Sequence, residues 1–298
     1  MKKYGKSQGW FQPLRNIARQ LGVRKKRGLA SLTRGIVLGG LWQIYKRTIK
    51  LPVLITTYKN TNFLIRPNCI TSSRFVYEGR PDELFVNALA GFSGTGVRFV
   101  DIGANVGLYT VLLCRTFERG WLFEPNPVAA EMARQNLALN SADLNFSVVH
   151  AAADSKPGKL EFPILKSPLP TAQVGQQAGH GTIVVDAIKL DEYLEANTDY
   201  VIKIDAEGMD LNVVTGLQNL FIKKRIRACL FECHEDSTLI GVRNIVSSLG
   251  YSLADEHGNP FENLTLDGRS RDLFVVRDDL LFDEGRGGRK CYDLMSHE

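Results

Sequence analysis

The first 77 residues contain no Asp and no Glu, although the whole chain of 298 residues holds 32 of them. The same stretch carries sixteen of the 37 Lys and Arg, which leaves 21 basic against 32 acidic side chains, a formal charge of −11, for the remaining 221 residues. A basic leader on an acidic body is drawn to anionic surfaces such as phospholipid head groups, acidic glycans or nucleic acid. No apolar run approaches the ~18–20 residues of a spanning helix, so an integral helical membrane protein is not expected. Five cysteines (Cys69, Cys114, Cys229, Cys233, Cys291) are too few for a dense disulfide framework and lack paired zinc spacing. A reduced, cytoplasmic setting and no resident metal are expected from them. No G-x-x-x-x-G-K-[ST] phosphate loop, internal repeat or low-complexity block occurs, and the absence of an aromatic-rich RNA motif beside the charge argues against nucleic acid as a partner.

What is present begins with the texture of the leader. Arg24, Lys25, Lys26 and Arg27 form a tight cluster, and Gly35–Tyr45 follows as an apolar stretch with Ile36, Val37, Leu38, Leu41, Trp42 and Ile44. Its length and its glycines suit a helix lying at an interface or packing on the main domain rather than one that spans. A secretory signal is not expected, because the apolar core starts late and no clean small-residue cleavage site follows. Residues 1–74 are expected as a basic helical N-terminal extension, 75–280 as one domain and 281–298 as a tail, with residues 1–50 able to touch an anionic membrane peripherally.

Val53–Tyr58 and Asn62–Ile65 carry β-like patches, and Pro81–Ala90 reads as a short amphipathic helix. Strands and helices then alternate. Strands are expected at Val97–Ile102, Trp121–Phe123, Asn145–His150, Tyr200–Ile204, Ile226–Cys233 and Leu273–Val276, with extended segments at Lys159–Pro163 and Thr182–Ala187. Helices are expected at Val106–Phe117, Pro127–Leu139, Lys189–Ala196, Asp210–Leu220 and Glu235–Leu249. Such alternation implies an α/β fold with a mostly parallel sheet, whose ligands sit beyond the carboxyl ends of the strands. A Gly/Gln/Pro-rich loop spans 166–181, with Gly179-His180-Gly181 read as a plain turn.

The informative residues are therefore those at the strand tips. The first strand ends in Asp101-Ile-Gly103-Ala104-Asn105-Val-Gly107, where missing side chains let a ligand approach the backbone. Its spacing fits a dinucleotide fingerprint badly. Glu124 lies 23 residues after Asp101, where an acid can accept both hydroxyls of a ribose. Asn126 followed by Pro127 is a helix start. Ala151-Ala152-Ala153-Asp154 places small residues and an acid beside the position of a base. Asp205 and Glu207 stand two residues apart at the fourth tip, and Glu232 and His234 at the fifth. Burial of one carboxyl there would suit proton transfer. The same four side chains are an alternative set for a divalent metal, although no spacing rule requires one.

Taken together, Val100-Asp-Ile-Gly-Ala-Asn-Val-Gly107, Phe123-Glu-Pro-Asn-Pro127, Lys203-Ile-Asp-Ala-Glu-Gly208 and Phe231-Glu-Cys-His234 resemble, in order and separation, the FkbM family of S-adenosylmethionine-dependent methyltransferases. Leu190-Asp191 and Tyr77-Glu78 look like further family features, and the resemblance covers roughly residues 75–280. It implies a Rossmann-like class I methyltransferase sheet, mostly parallel with an antiparallel last strand. It implies S-adenosyl-L-methionine as cofactor, with Asp101, Gly103, Ala104, Asn105 and Gly107 at its methionine end, Glu124 on the ribose, and Asn126 and Ala152 on the adenosine side. Glu78 and Asp205 also belong to that set. Asp205, Glu207 and His234 would serve catalysis. A hydroxyl-bearing small molecule or glycan is the implied acceptor, since characterised relatives methylate hydroxyl oxygens in natural products and sugars. A cofactor-binding interaction protein and a dinucleotide-dependent oxidoreductase are the alternatives.

Overall fold

The structure is a computed structural model that describes residues 12–67, 69–163, 182–262, 265–266 and 270–281. The expected 166–181 loop with its Gly179-His180-Gly181 turn, Cys291 and nearly all of the 281–298 tail lie outside the described residues.

The chain opens with helices α1 (Gln12–Lys26) and α2 (Leu29–Thr48), a hairpin of strands β1 (Val53–Thr56) and β2 (Asn62–Ile65), and helices α3 (Ile70–Tyr77) and α4 (Glu83–Gly91). The alternating region follows: β3 (Arg98–Ile102), α5 (Leu108–Leu113), β4 (Gly120–Phe123), α6 (Pro127–Ala138), β5 (Phe146–Val149), β6 (Ala152–Ala153), β7 (Gly158–Pro163) and β8 (Thr182–Ile188). It continues with α7 (Leu190–Tyr193), β9 (Tyr200–Ile204), α8 (Asp210–Gly216), α9 (Gln218–Ile222), β10 (Ile226–Cys233), α10 (Asp236–Val246), β11 (Tyr251–Ala254), β12 (Arg271–Arg277) and α11 (Asp278–Leu281).

Seven strands form the main sheet in the order β11-β12-β10-β9-β3-β4-β5. The five central and right-hand strands, β10 to β5, run parallel, whereas β12 is antiparallel to both β10 and β11. This is the expected Rossmann-like class I sheet, with β12 inserted between β10 and β11. Its central strands read as continuous apolar runs because both faces are covered: every residue of β9 is buried. One core cluster joins α4, α5 and α6 to one face through Phe99, Leu112 and Leu122, and another joins α8, α9 and α10 to the opposite face through Ile202, Phe221 and Val242. A separate three-stranded sheet, β6-β8-β7, collects the two extended segments.

Several boundaries differ from expectation, each for a local reason. The helix after β3 begins only at Leu108, because Gly107 is left-handed at φ 76°. The segment expected as one helix over 210–220 breaks at Leu217, and Asp191 starts the second piece by accepting from the backbone N–H groups of Asn219 (2.8 Å) and Leu220 (3.0 Å). α3 lies in a stretch for which no element was expected. The Cys69 Sγ caps it by accepting from the Ser72 N–H at 3.2 Å, and its buried face, Ser72, Ser73, Phe75 and Tyr77, is claimed by packing.

The leader is bonded to the body. The Asn136 and Asn140 side chains of the α6 region accept from Leu64 N (3.1 Å) and Asn62 N (2.7 Å), which fastens β2 to α6. Of the basic cluster, two arginines are consumed internally. Arg24 is 6 % exposed and donates to the Tyr77 (2.6 Å) and Val76 (3.0 Å) carbonyls at the end of α3. Arg27 donates to the Glu78 carbonyl (3.0 Å) and pairs with Glu83 (2.9 Å). Orphan carbonyls at a helix C-terminus favour such cations.

Candidate functional site

In an open sheet the crevice lies where the strand order reverses, and here that is between β3 and β9. Register fixes what meets there. Moving along the carboxyl edge from β12 towards β5, one passes Asp272, Glu232, Asp205, the 103–107 turn, Glu124 and Ala152. Asp272 joins this edge because β12 runs backwards, which places it directly opposite Glu232. A cavity of about 580 Å³ follows the same line, and Gly103, Ala104, Asn105, Glu124, Asn126, Ala152, Asp205, Glu207, Glu232 and Asp272 all line it. Helices α1, α3 and α4 close it from above with Gln20, Val23, Arg74 and Phe85.

The turn after β3 is built to bring two loops together. Gly103 has φ 67°, and a Cβ there would lie 1.8 Å from the Asp205 carbonyl oxygen. Asn105 is also left-handed, at φ 52°, and its backbone N–H donates to Glu124 Oε2 at 2.7 Å. The other carboxyl oxygen of Glu124 accepts from Asn126 N at 2.8 Å. Burial pushes the Glu124 carboxyl up to about 7, against the opposing pull of these two donors. Two of the expected residues shape the turn from outside the cavity wall. Asp101 is 1 % exposed, and its Oδ2 accepts from Thr110 Oγ1 at 2.8 Å. Gly107 packs α5 on α6, where an added Cβ would meet the Ala133 methyl at 3.3 Å.

Lys203 is the hidden centre of the site. It projects from a fully buried strand, donates to the Gly103 carbonyl and to Asp205 Oδ2, both at 3.2 Å, and lies 3.8 Å from Asp101 Oδ1. Burial disfavours its charge, but Asp205 and Asp101 outweigh that and raise its pKa. Burial likewise raises the Asp101 carboxyl, with Lys203 and Thr110 in partial opposition. One ammonium thus ties β3 to the loop after β9. That loop is held from below by Asp210, whose carboxylate accepts from Ala206 N (3.2 Å) and Gly208 N (3.3 Å); Glu207 in the same loop is left-handed at φ 49°.

The β10–β12 end of the cavity is crowded with carboxyls. Burial, with Glu232, Asp82 and Asp205 nearby, pushes Asp272 up to about 7. Glu232 is raised by burial and by Asp205, while His234 pulls it back. Arg74 grips both Glu78 (2.8 Å) and Asp82 (2.6 Å). Glu78 therefore lines the cavity with both oxygens already accepting from Arg74.

Not every expected residue meets the cavity in the expected way. His234 is exposed and outside the lining set, reaching it only through Glu232, whose Oε2 is 3.4 Å from its Nε2. The Asn126 side chain caps α6 by accepting from Val128 N (2.9 Å) and Ala129 N (3.2 Å). The Asp154 carboxylate is turned away to Ser155 N (2.6 Å) and Asn212 (3.0 Å). Among the described residues no group of three or more His, Cys, Asp or Glu could hold a metal ion, and no helix is long and apolar enough to cross a membrane. Lys203, Arg74 and Asp272 were not expected; the one available signal was a lysine inside an otherwise apolar strand.

Residues 101–253 match the profile of the methyltransferase FkbM domain. Hexuronic acid methyltransferase AglP of Haloferax volcanii is 23% identical over 175 residues, which are 58% of this chain and 70% of that protein. Among solved structures, precorrin-6y C5,15-methyltransferase of Geobacter metallireducens superimposes with a TM-score of 0.40 at 13% identity, over 66% of this chain and 89% of that one. The tRNA (uracil-54, C5)-methyltransferase of Pyrococcus abyssi, in complex with S-adenosyl-L-homocysteine, gives a TM-score of 0.40 at 16% identity, over 76% of this chain and 44% of that one.

Proposed function

The chain belongs to the FkbM methyltransferase family, and on that premise we propose that it transfers the methyl group of S-adenosylmethionine to a hydroxyl oxygen of a sugar, glycan or natural-product acceptor. The observation that carries this reading is the order of groups along one sheet edge: a glycine turn in the middle, a buried acid on one side, and a carboxyl-lined cavity on the other.

The residues fit the cofactor. Gly103 lets the turn sit against the loop after β9, where a Cβ would strike Asp205, and Asn105 Oδ1 is buried in that turn without a hydrogen-bond partner, as is Asp101 Oδ1 behind it. Gly103, Ala104 and Asn105 would hold the methionine end, with Asp101 and Gly107 setting the turn's shape. Glu124 would accept the ribose hydroxyls, and Asn126 and Ala152 would border the adenosine. When bound, S-adenosylmethionine supplies a methyl carbon already activated by its positive sulfur. The protein then has to align and deprotonate the acceptor. Alignment alone can supply ~7–11 kcal/mol of a barrier.

Asp205, fixed by Lys203, stands between the two halves of the cavity and limits where an acceptor oxygen can sit. Glu207, Glu232 and Asp272 line the acceptor half. Asp272 suits the task of accepting the hydroxyl proton, because a base works best with a pKa near the working pH. His234 would act by positioning Glu232, and Glu78 by holding Arg74 at the wall. AglP acts, by its name, on a hexuronic acid, which favours a sugar-like acceptor here.

The experiment is transfer of labelled methyl from S-adenosylmethionine to fractionated acceptor extracts. One labelled fraction, with the label on oxygen, is expected; no labelled fraction, with the cofactor bound, would favour an interaction protein instead. Asp272→Asn is expected to lower kcat roughly 10²-fold while S-adenosylhomocysteine affinity is kept. At saturating cofactor the wild-type rate should rise with pH to a plateau above about 7, since the carboxylate is the active form. The variant should lose that rise. Unchanged kcat in Asp272→Asn would assign the proton to another group.

A further inference from the structure

The outward face of α2 is apolar, and the packing of its inner face prevents it from turning inward. Gly35 sits against Arg24, and Gly39 against the Tyr77 ring, where an added Cβ would come within 3.0 Å. Trp42 is buried between them and α3, and its indole N–H donates to Ser73 Oγ at 3.1 Å. With that side committed, Leu29, Ile36, Val37, Leu41 and Ile44 are 78, 55, 55, 59 and 61 % exposed. At about 100° per residue they fall within an arc of about 140°. Ile49, Leu51 and Leu54 extend the exposed apolar strip past the helix end.

Cations frame the strip. Lys25, Lys26, Arg34, Arg47 and Lys50 are all exposed around it, and no acid occurs anywhere in residues 1–77. Water-exposed leucines and isoleucines on one helix face, ringed by Lys and Arg, are what an interfacial helix needs: apolar burial among acyl chains and attraction to anionic head groups. An acidic protein surface would match the charge but not the run of exposed apolar side chains from Leu29 to Leu54.

We propose that α2 docks flat on an anionic lipid bilayer, its Leu29–Ile44 face sunk among the head groups. α1 packs on α2 and contributes Gln20 and Val23 to the rim of the methyl-transfer cavity. Docking in this way holds the cavity next to the lipid surface and selects acceptors whose hydroxyl is carried on a lipid head group. That last step rests on the proposed methyl transfer; the docking itself does not.

The test uses the full chain, sedimented with vesicles of equimolar phosphatidylcholine and phosphatidylglycerol and with phosphatidylcholine alone. Sedimentation with the anionic vesicles, weakened by salt, and little with the neutral ones is expected. The double variant Leu41→Asp/Ile44→Asp should weaken binding to the anionic vesicles at least about tenfold, and should leave S-adenosylhomocysteine binding unchanged as proof of folding. Equal sedimentation of variant and wild type would overturn the proposal. So would failure of the wild type to bind, or a dimer in gel filtration that the double variant dissociates, since a second copy would then cover the strip. Absence of cofactor binding in every protein would count against the methyl-transfer reading and leave the vesicle result to stand by itself.

Discussion

Gly103→Ala is expected to lower the melting temperature by roughly 6–10 °C and to abolish detectable cofactor binding. The backbone at Gly103 is left-handed (φ 67°), and an added methyl carbon would lie 1.8 Å from the Asp205 carbonyl oxygen. Neither partner can yield cheaply. The Gly103 carbonyl accepts from Lys203 at 3.2 Å, and the Asp205 N–H donates to the Ile102 carbonyl at 3.0 Å. The methyl must therefore separate the loops after β3 and β9 at the point where the sheet order reverses. Left-handed strain of about 1–2 kcal/mol adds to the clash, for a total of roughly 3 kcal/mol or more. Gly158→Ala is the control, because a Cβ there meets nothing within 4 Å and its φ is ordinary. It should melt with the wild type. A Gly103→Ala protein that melts normally and binds cofactor would show that the two loops do not meet as described.

Glu124→Ala is expected to weaken S-adenosylhomocysteine binding by roughly 10²- to 10⁴-fold. Its two oxygens hold the Asn105 and Asn126 backbone N–H groups in the free protein (2.7 and 2.8 Å), so the loss removes both the proposed ribose acceptor and the brace across β3 and β4. Hydrogen bonds to a charged group contribute about 1.5–3 kcal/mol each, and two of them account for a loss of that size. Glu124→Gln tests the charge separately. An amide offers one acceptor oxygen, so one backbone N–H would face an NH₂ group. The pH dependence has a definite sign. With the carboxyl raised to about 7 in the free protein, affinity should fall about tenfold for each unit below that value, because the proton must leave before ribose hydroxyls can be accepted. Above it the affinity should level off. In Glu124→Gln the slope should vanish. A slope that persists in the Gln variant would belong to another group.

How much of this was legible without coordinates depended on whether the controlling interaction was local. The central strands were visible because strands covered on both faces read as unbroken apolar runs. Asp205, Glu124 and the 103–107 turn were visible because a parallel sheet sends each strand tip to the same edge. Lys203 was hidden within β9, since what makes it useful is Asp101, 102 residues earlier. Asp272 was hidden because, although an antiparallel last strand was expected, nothing in Arg271–Arg277 fixes the register that sets Asp272 opposite Glu232. Arg24 and Arg27 looked like part of a free basic cluster, yet the carbonyls they hold lie more than fifty residues away. α3 shows tertiary packing overriding composition: Ile70, Thr71, Phe75, Val76 and Tyr77 favour a strand locally, but the cap at Cys69 and the demands of α2 above it settle on a helix.

The most direct measurement is calorimetric titration of the full chain with S-adenosylhomocysteine, set beside NAD and NADP under the same conditions. One site per chain for S-adenosylhomocysteine is expected, lost in Glu124→Ala, with no heat from either dinucleotide. Binding of a dinucleotide, or no response to S-adenosylhomocysteine from a protein that melts cooperatively, would contradict the assignment of this sheet edge to a sulfonium methyl donor.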